Sequence, residues 1–249
     1  GKLNRVWLPS FLCDTILIPF QKLEVNCQFY PVDHTLAINF DGCNLRAGDA
    51  VVVISYFGIS DNDEIYEYLT SKGVVIIEDL CQAFYQTPHP LADFSVKSLR
   101  KFFAVPDGAV VYSKHDREIT WQYENHEPRE DLAWGIEAIS GRALYDQDLT
   151  DSLAWYQCFQ KSEAAMPVAC VPMSEYTKTQ LAWFIDFDNE SSKRISNYDY
   201  LLANLSDIAL IENRKGAVPL GFPVVIGNRD EVRKRLYEQK IYPPVHWDI

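Results

Sequence analysis

Val74-Val75-Ile76-Ile77-Glu78-Asp79-Leu80-Cys81-Gln82 is the stretch on which the reading of this 249-residue chain turns. Four consecutive β-branched residues make a strand-sized apolar run, and two carboxylates close it. A carboxylate just past a buried strand loses its hydration, so Asp79 requires a cation or several donors to face it. Its plainer role is to cap the helix that follows.

Upstream, Ala50 to Ser55 is a second β-branched run, ending at Tyr56-Phe57-Gly58. Between the two runs, Asp61 to Ser71 offers an N-cap Asp, acids in its first turn, apolar Ile65 and Leu69 four apart, and Lys72-Gly73 as a stop. That spacing predicts a crossover helix and hence a right-handed β-α-β unit with parallel strands. Arg5 to Leu8 and Ala109 to Tyr112 read as further strands, with Asp93 to Val96 as a fifth candidate. Alternating strands and helices give an α/β class with a mainly parallel sheet, whose ligands bind beyond the carboxyl ends of the strands. Asp79 lies at such an end.

The composition, 47% hydrophobic, 13% aromatic and 23% charged, is that of a packed globular protein. A formal charge of -12 lacks the excess of Lys and Arg that draws a protein to phosphate backbones or anionic lipid, so no nucleic acid partner is expected. The apolar runs fall far short of the roughly 20 residues that cross a bilayer, and the first residues do not read as a signal peptide. Cys13, Cys27, Cys43, Cys81, Cys158 and Cys170 form no C-x-x-C pair and no zinc-like spacing with His, so reduced thiols in the cytoplasm are expected and no metal. The sequons at Asn189 and Asn204 read as chance.

After residue 115 the pattern changes. Arg129 to Ser162 and Ser174 to Leu205 read as helical, with Leu181, Phe184, Ile185 and Ile195 as core positions. From Asp207 the chain turns strand-like (Ile208 to Ile211, Gly221 to Ile226), and a charged helix follows from Asn228 to Gln239. The expected division is a large domain over 1–125, a helical linking region over 126–205 and a small C-terminal α+β domain over 206–249.

Ser98-Leu99-Arg100-Lys101 follows the Asp79 strand and precedes apolar Phe102-Phe103. Partial burial, or a neighbouring cation such as Arg100, would favour the neutral amine of Lys101, the form that attacks an aldehyde. The Ser98 hydroxyl and nearby backbone N–H groups are of the kind that bind phosphate. As an isolated signal, a lysine here is more often solvated surface.

Taken in order and spacing, Leu8-Pro9-Ser10, Ser55-Tyr56-Phe57-Gly58, Ile77 to Ala83, Ser98 to Lys101, Pro106-Asp107-Gly108, Arg194-Ile195-Ser196-Asn197-Tyr198 and Ile241 to Trp247 resemble the DegT/DnrJ/StrS family of pyridoxal-phosphate (PLP)-dependent sugar aminotransferases, of fold type I. The resemblance implies a three-layer large domain with PLP as cofactor. It implies Lys101 as the Schiff-base lysine, Asp79 on the pyridinium nitrogen, Gln82 near the ring's phenolic oxygen and Ser98 on the phosphate. Ser95 competes with Ser98, since many family members place a serine five residues before the lysine, where this chain has Val96. His246 and Trp247 resemble a motif near the substrate entrance and are assigned no chemistry. The family implies a homodimer, an amino acid donor such as glutamate, and a keto sugar, nucleotide-linked, as acceptor.

Family members begin well before the strand at Val6 and continue past His246-Trp247, so segments at both ends are expected to be absent. Ala109 also stands where the family has a second glycine after Asp107. The alternative reading is a non-catalytic relative used for binding or assembly. Dehydration on the same scaffold is disfavoured, because relatives doing it can replace the lysine with His.

Overall fold

The computed structural model describes residues 3–59, 63–114, 129–212 and 216–246. Its strands are β1 (Arg5–Pro9), β2 (Asn26–Tyr30), β3 (Ala50–Ile54), β4 (Val75–Asp79), β5 (Phe94–Ser98) and β6 (Ala109–Ser113). They form one sheet in the order β2-β1-β3-β4-β5-β6. All neighbours pair parallel except β5 and β6, which are antiparallel. The mainly parallel sheet read from the sequence is therefore present. β2 is an addition to it: Asn26-Cys27-Gln28-Phe29-Tyr30 is an edge strand without the continuous apolar run of a central one.

The helices are α1 (Leu17–Lys22), α2 (Asp63–Ser71), α3 (Glu130–Asp146), α4 (Ala154–Ala165), α5 (Glu175–Trp183), α6 (Phe187–Leu205) and α7 (Arg229–Glu238). The proposed N-cap Asp61 lies outside the described residues. Side chains alternate across β1 and β3, as strand geometry demands. Trp7, Val51 and Val53 face a cluster closed by Tyr66 and Leu69 of α2. Val6, Leu8, Val52 and Ile54 face the other layer, which includes Tyr198 of α6 and Phe20 of α1. Full burial of each large apolar side chain stabilises by about 1.5–3 kcal/mol, so a one-residue slip of these strands would be heavily disfavoured.

The helical region is more broken than its periodicity predicts. The 129–162 span is two helices, α3 and α4, because Thr150 and Ser152 turn their hydroxyls onto the backbone N–H groups of Ser152 and Ala154. Likewise 174–205 divides into α5, capped by Ser174, and α6, capped by Asp186, whose carboxylate accepts from the Asn189 N–H at 3.0 Å. Leu181 and Ile185 pack in a third cluster with Leu99, Phe102 and Phe103. Phe184 does not: it ends α5, points outward and is 71% exposed, which corrects its assignment to the core. Ile195 is half-buried.

The strands expected over 208–226 shrink to one isolated antiparallel bridge, Ala209 to Val224. Leu210, Ile211, Ala217 and Phe222 instead pack on the core shared by β1 and β3. α7 falls where the charged helix was read. Among the described residues no helix is long and apolar enough to cross a membrane, and no group of His, Cys, Asp and Glu could hold a metal ion. All six cysteines are free.

Candidate active site

Glu78 and Asp79 end β4 and face opposite layers. Glu78 pairs in register with Ser95 and Asp79 with Val96. The Glu78 carboxylate is fully buried on the α2 side, where it accepts from the Tyr66 hydroxyl at 3.0 Å, the Ser95 hydroxyl at 2.6 Å and the His89 N–H at 3.1 Å. Three donors saturate the buried carboxylate. Asp79 opens on the α6 side. Its Oδ1 accepts from the Cys81 N–H at 2.8 Å, and among the described residues no cation forms an ion pair with it.

The same alternation separates the two serines considered for a phosphate. Ser95 is buried on the Glu78 face with its hydroxyl committed to Glu78. Ser98, two pleats beyond Val96, shares the Asp79 face and is half-buried. Lys97, on the Ser95 face, lies over the rings of Phe84 and Tyr112, and burial lowers its pKa while the Glu78 charge opposes this. That buried lysine went unread in the sequence, which gives no sign of the rings around it.

Lys101 is exposed in the turn that leads from β5 to β6. Phe102 and Phe103 both donate their N–H groups to the Leu99 carbonyl, at 3.1 and 3.0 Å, and so tighten the turn. Its far side closes at Gly108, whose φ of 107° favours glycine; an added Cβ would also stand 2.7 Å from Leu99 Cδ1, which would have to shift. Arg100, read as the neighbouring cation, is paired with Glu163 of α4. Two other groups register the lysine's charge. Burial and then the Asp79 charge push the Cys81 thiol well up, against Lys101; burial and then Lys101 push His246 down, so its imidazole is neutral near pH 7.

Gln82 is 2% exposed, and its Oε1 accepts from the Phe57 N–H at 2.8 Å. The amide oxygen is thus committed to a turn, leaving the amide nitrogen as the group able to meet a ligand. Phe57 adopts a left-handed φ of 55°, its carbonyl accepts from the Leu220 N–H at 2.7 Å, and its ring meets His246 edge-on at 5.0 Å. His246 therefore joins the site, while Trp247 lies outside the described residues. An open carboxylate, an exposed amine, a free-facing hydroxyl and a neutral imidazole at one end of the sheet suit a small ligand with a cationic ring, an aldehyde and a phosphate.

The Phe57 turn leaves no room at Gly58, where φ is +73° and an added Cβ would stand 2.7 Å from the Gln82 carbonyl and 3.0 Å from the Val218 carbonyl. Left-handed backbone costs an L-residue about 1–2 kcal/mol and overpacking about 1–3 kcal/mol more. Gly58→Ala should therefore lower the unfolding free energy in urea by more than about 2 kcal/mol, whereas a change under about 0.5 kcal/mol, typical of an unconstrained surface site, would refute the packing described.

No protein-family model matches the chain, and no curated protein matches it. Solved structures do. A DegT DnrJ EryC1 StrS aminotransferase from Brucella abortus is 13% identical with a TM-score of 0.58, over 97% of this chain and 64% of that one. The sugar aminotransferase CalS13 from Micromonospora echinospora is 14% identical with a TM-score of 0.57, over 97% and 66%. A GDP-4-keto-6-deoxymannose-3-dehydratase, crystallised with GDP-perosamine, is 16% identical with a TM-score of 0.54, over 96% and 64%. This chain spans just under two thirds of the length of these structures. What is shared at such identities is the fold, and the chain has the fold of the PLP-dependent sugar aminotransferases.

Proposed function

We propose that this chain is the cofactor-binding part of a PLP-dependent aminotransferase that moves an amino group from an amino acid, glutamate by the family resemblance, to a nucleotide-linked keto sugar. The observation that carries this reading is the pairing of Asp79, open and, among the described residues, without an ion-pair partner, with Lys101 in the turn after the adjacent strand. Two of the matched proteins act on sugars by name, which supports the substrate class.

PLP, when bound, supplies a ring that draws electrons from the donor's α-carbon. Asp79 would keep the ring nitrogen charged, and its carboxylate needs no cation to be displaced first. Lys101 Nζ, exposed at its turn, would bind the aldehyde carbon and, once the donor's amine had displaced it from that carbon, would be free to take and return a proton as general base and acid. The Ser98 hydroxyl and the Gln82 amide nitrogen would orient the phosphate and the ring oxygen. Six free thiols suit a reducing cytoplasm.

A homodimer belongs to the same proposal. Trp183 and Phe184 are 81% and 71% exposed, and Leu149, Leu153, Tyr156 and Phe159 add apolar surface of the kind subunits cover. Sedimentation at micromolar concentration should give twice the chain mass, and a strict monomer that binds PLP tightly would contradict the idea.

Borohydride treatment of the PLP-saturated protein, followed by peptide mass spectrometry, should leave the reduced cofactor on Lys101. A label elsewhere, Lys97 included, or no label, would remove Lys101 from the role. Asp79→Asn should still take up PLP, but its half-reaction with L-glutamate should slow roughly ten- to a hundredfold, the equivalent of one charge-assisted hydrogen bond of about 1.5–3 kcal/mol. An unchanged rate would make Asp79 a turn cap only. If the parent protein takes up PLP yet shows no half-reaction with any amino donor, the binding or assembly reading replaces the catalytic one.

A further inference from the structure

Arg194, on the sheet-facing side of α6, is a charged group that reaches both turns of the site. Its Nη2 donates to the Phe102 carbonyl at 3.0 Å and its Nη1 to the Leu220 carbonyl at 3.0 Å. The guanidinium also lies 4.7 Å from the centre of the Phe102 ring. Phe102 is the residue next to Lys101, and Leu220 donates its own N–H to the Phe57 carbonyl at 2.7 Å. One planar fork thus ties the lysine's turn to the turn that Gln82 supports from the other side.

This is a costly way to pin a helix. The Arg194 Nε is buried without a hydrogen-bond partner, and among the described residues no carboxylate forms an ion pair with the guanidinium. Burial, opposed by Glu190 one helical turn earlier, lowers its pKa, as expected for a cation held by carbonyls and a ring face. A neutral side chain would hold α6 against the third cluster at less cost. What the cation adds is two directional, charge-assisted bonds to carbonyls on separate loops.

We infer that Arg194 is a positioning residue for Lys101: by holding the Phe102 carbonyl and ring it fixes the backbone from which the lysine reaches its target, while the lysine side chain stays free to move. The inference rests on the proposed PLP reading for its consequence, though the clamp on the turn is testable without cofactor. Among the described residues Arg194 bonds to the Phe102 and Leu220 carbonyls and not to the lysine amine, so its effect on the lysine must pass through Phe102.

Two measurements separate positioning from general support. PLP can bond to Lys101, whereas pyridoxamine 5′-phosphate presents an amine in place of the aldehyde and cannot. In Arg194→Met, PLP binding should weaken about tenfold or more, the loss expected for a charge-assisted hydrogen bond, while pyridoxamine 5′-phosphate binding changes little. In cofactor-free protein, hydrogen exchange of peptides spanning 99–105 should speed up, with peptides of β3 and β4 unchanged. Arg194→Lys, which keeps the charge but not the planar fork, should fall between parent and Arg194→Met, and it carries both measurements where the Met variant does not fold. Equal weakening of the two ligands, or unchanged exchange over 99–105, would overturn the inference. Failure of the parent to bond PLP at Lys101 would instead remove the cofactor reading, and the exchange measurement would still decide whether Arg194 holds the turn.

Discussion

Successive side chains of a strand point to opposite faces, and at the end of β4 that rule parts two adjacent carboxylates. Glu78 is turned into the α2 layer, where Tyr66, Ser95 and the His89 N–H saturate it. Asp79 must then face the α6 layer, as must Ser98 on the neighbouring strand. A slip of β4 by one residue would put Asp79 into a pocket built for Glu78 and turn Glu78 outward, at a cost of several kcal/mol for the misplaced charges. The register of the core and the orientation of the site are thus one constraint.

Around that fixed carboxylate the site is assembled mostly through main chain. Gln82 holds the Phe57 N–H, Leu220 holds the Phe57 carbonyl, and Gly58 lets the Gln82 and Val218 carbonyls approach. Lys101 is exposed beside this main-chain frame. Backbone bonds formed in folding are what preorganisation requires, since the ordering entropy is then spent in folding and not on ligand binding.

Much of this was legible in the sequence, and the omissions have physical causes. β-branched runs announced β1, β3, β4 and β6, and Asp93 to Val96 announced most of β5. β2 escaped because a half-polar edge strand carries little hydrophobic signal, and the 208–226 segment was overread because apolar residues that pack as loop look like those that pack as strand. Lys101 and Asp79 were found as residue types in a family-like order. Their surroundings were not: a left-handed Phe57 breaks the usual preference for glycine or asparagine, and a helical arginine reads as surface until its carbonyl partners are seen. Which faces Ser95 and Ser98 take follows from the strand register, which sequence alone does not supply.

The order of the sheet also bears on how the molecule comes into being. From β3 to β6 every neighbouring pair is consecutive along the chain, so the strands bearing Asp79, Ser98 and the lysine's turn close comparatively short loops. α6 and Leu220 reach those turns only from far downstream, and longer loops close at greater entropic cost. A chain emerging amino end first presents Asp79 and Lys101 before Arg194, which bonds to the Phe102 carbonyl beside the lysine, has been synthesised. Fixing the turn between β5 and β6 is then a late step of folding, and a nascent or partly refolded molecule holds its sheet in place with that turn not yet held still.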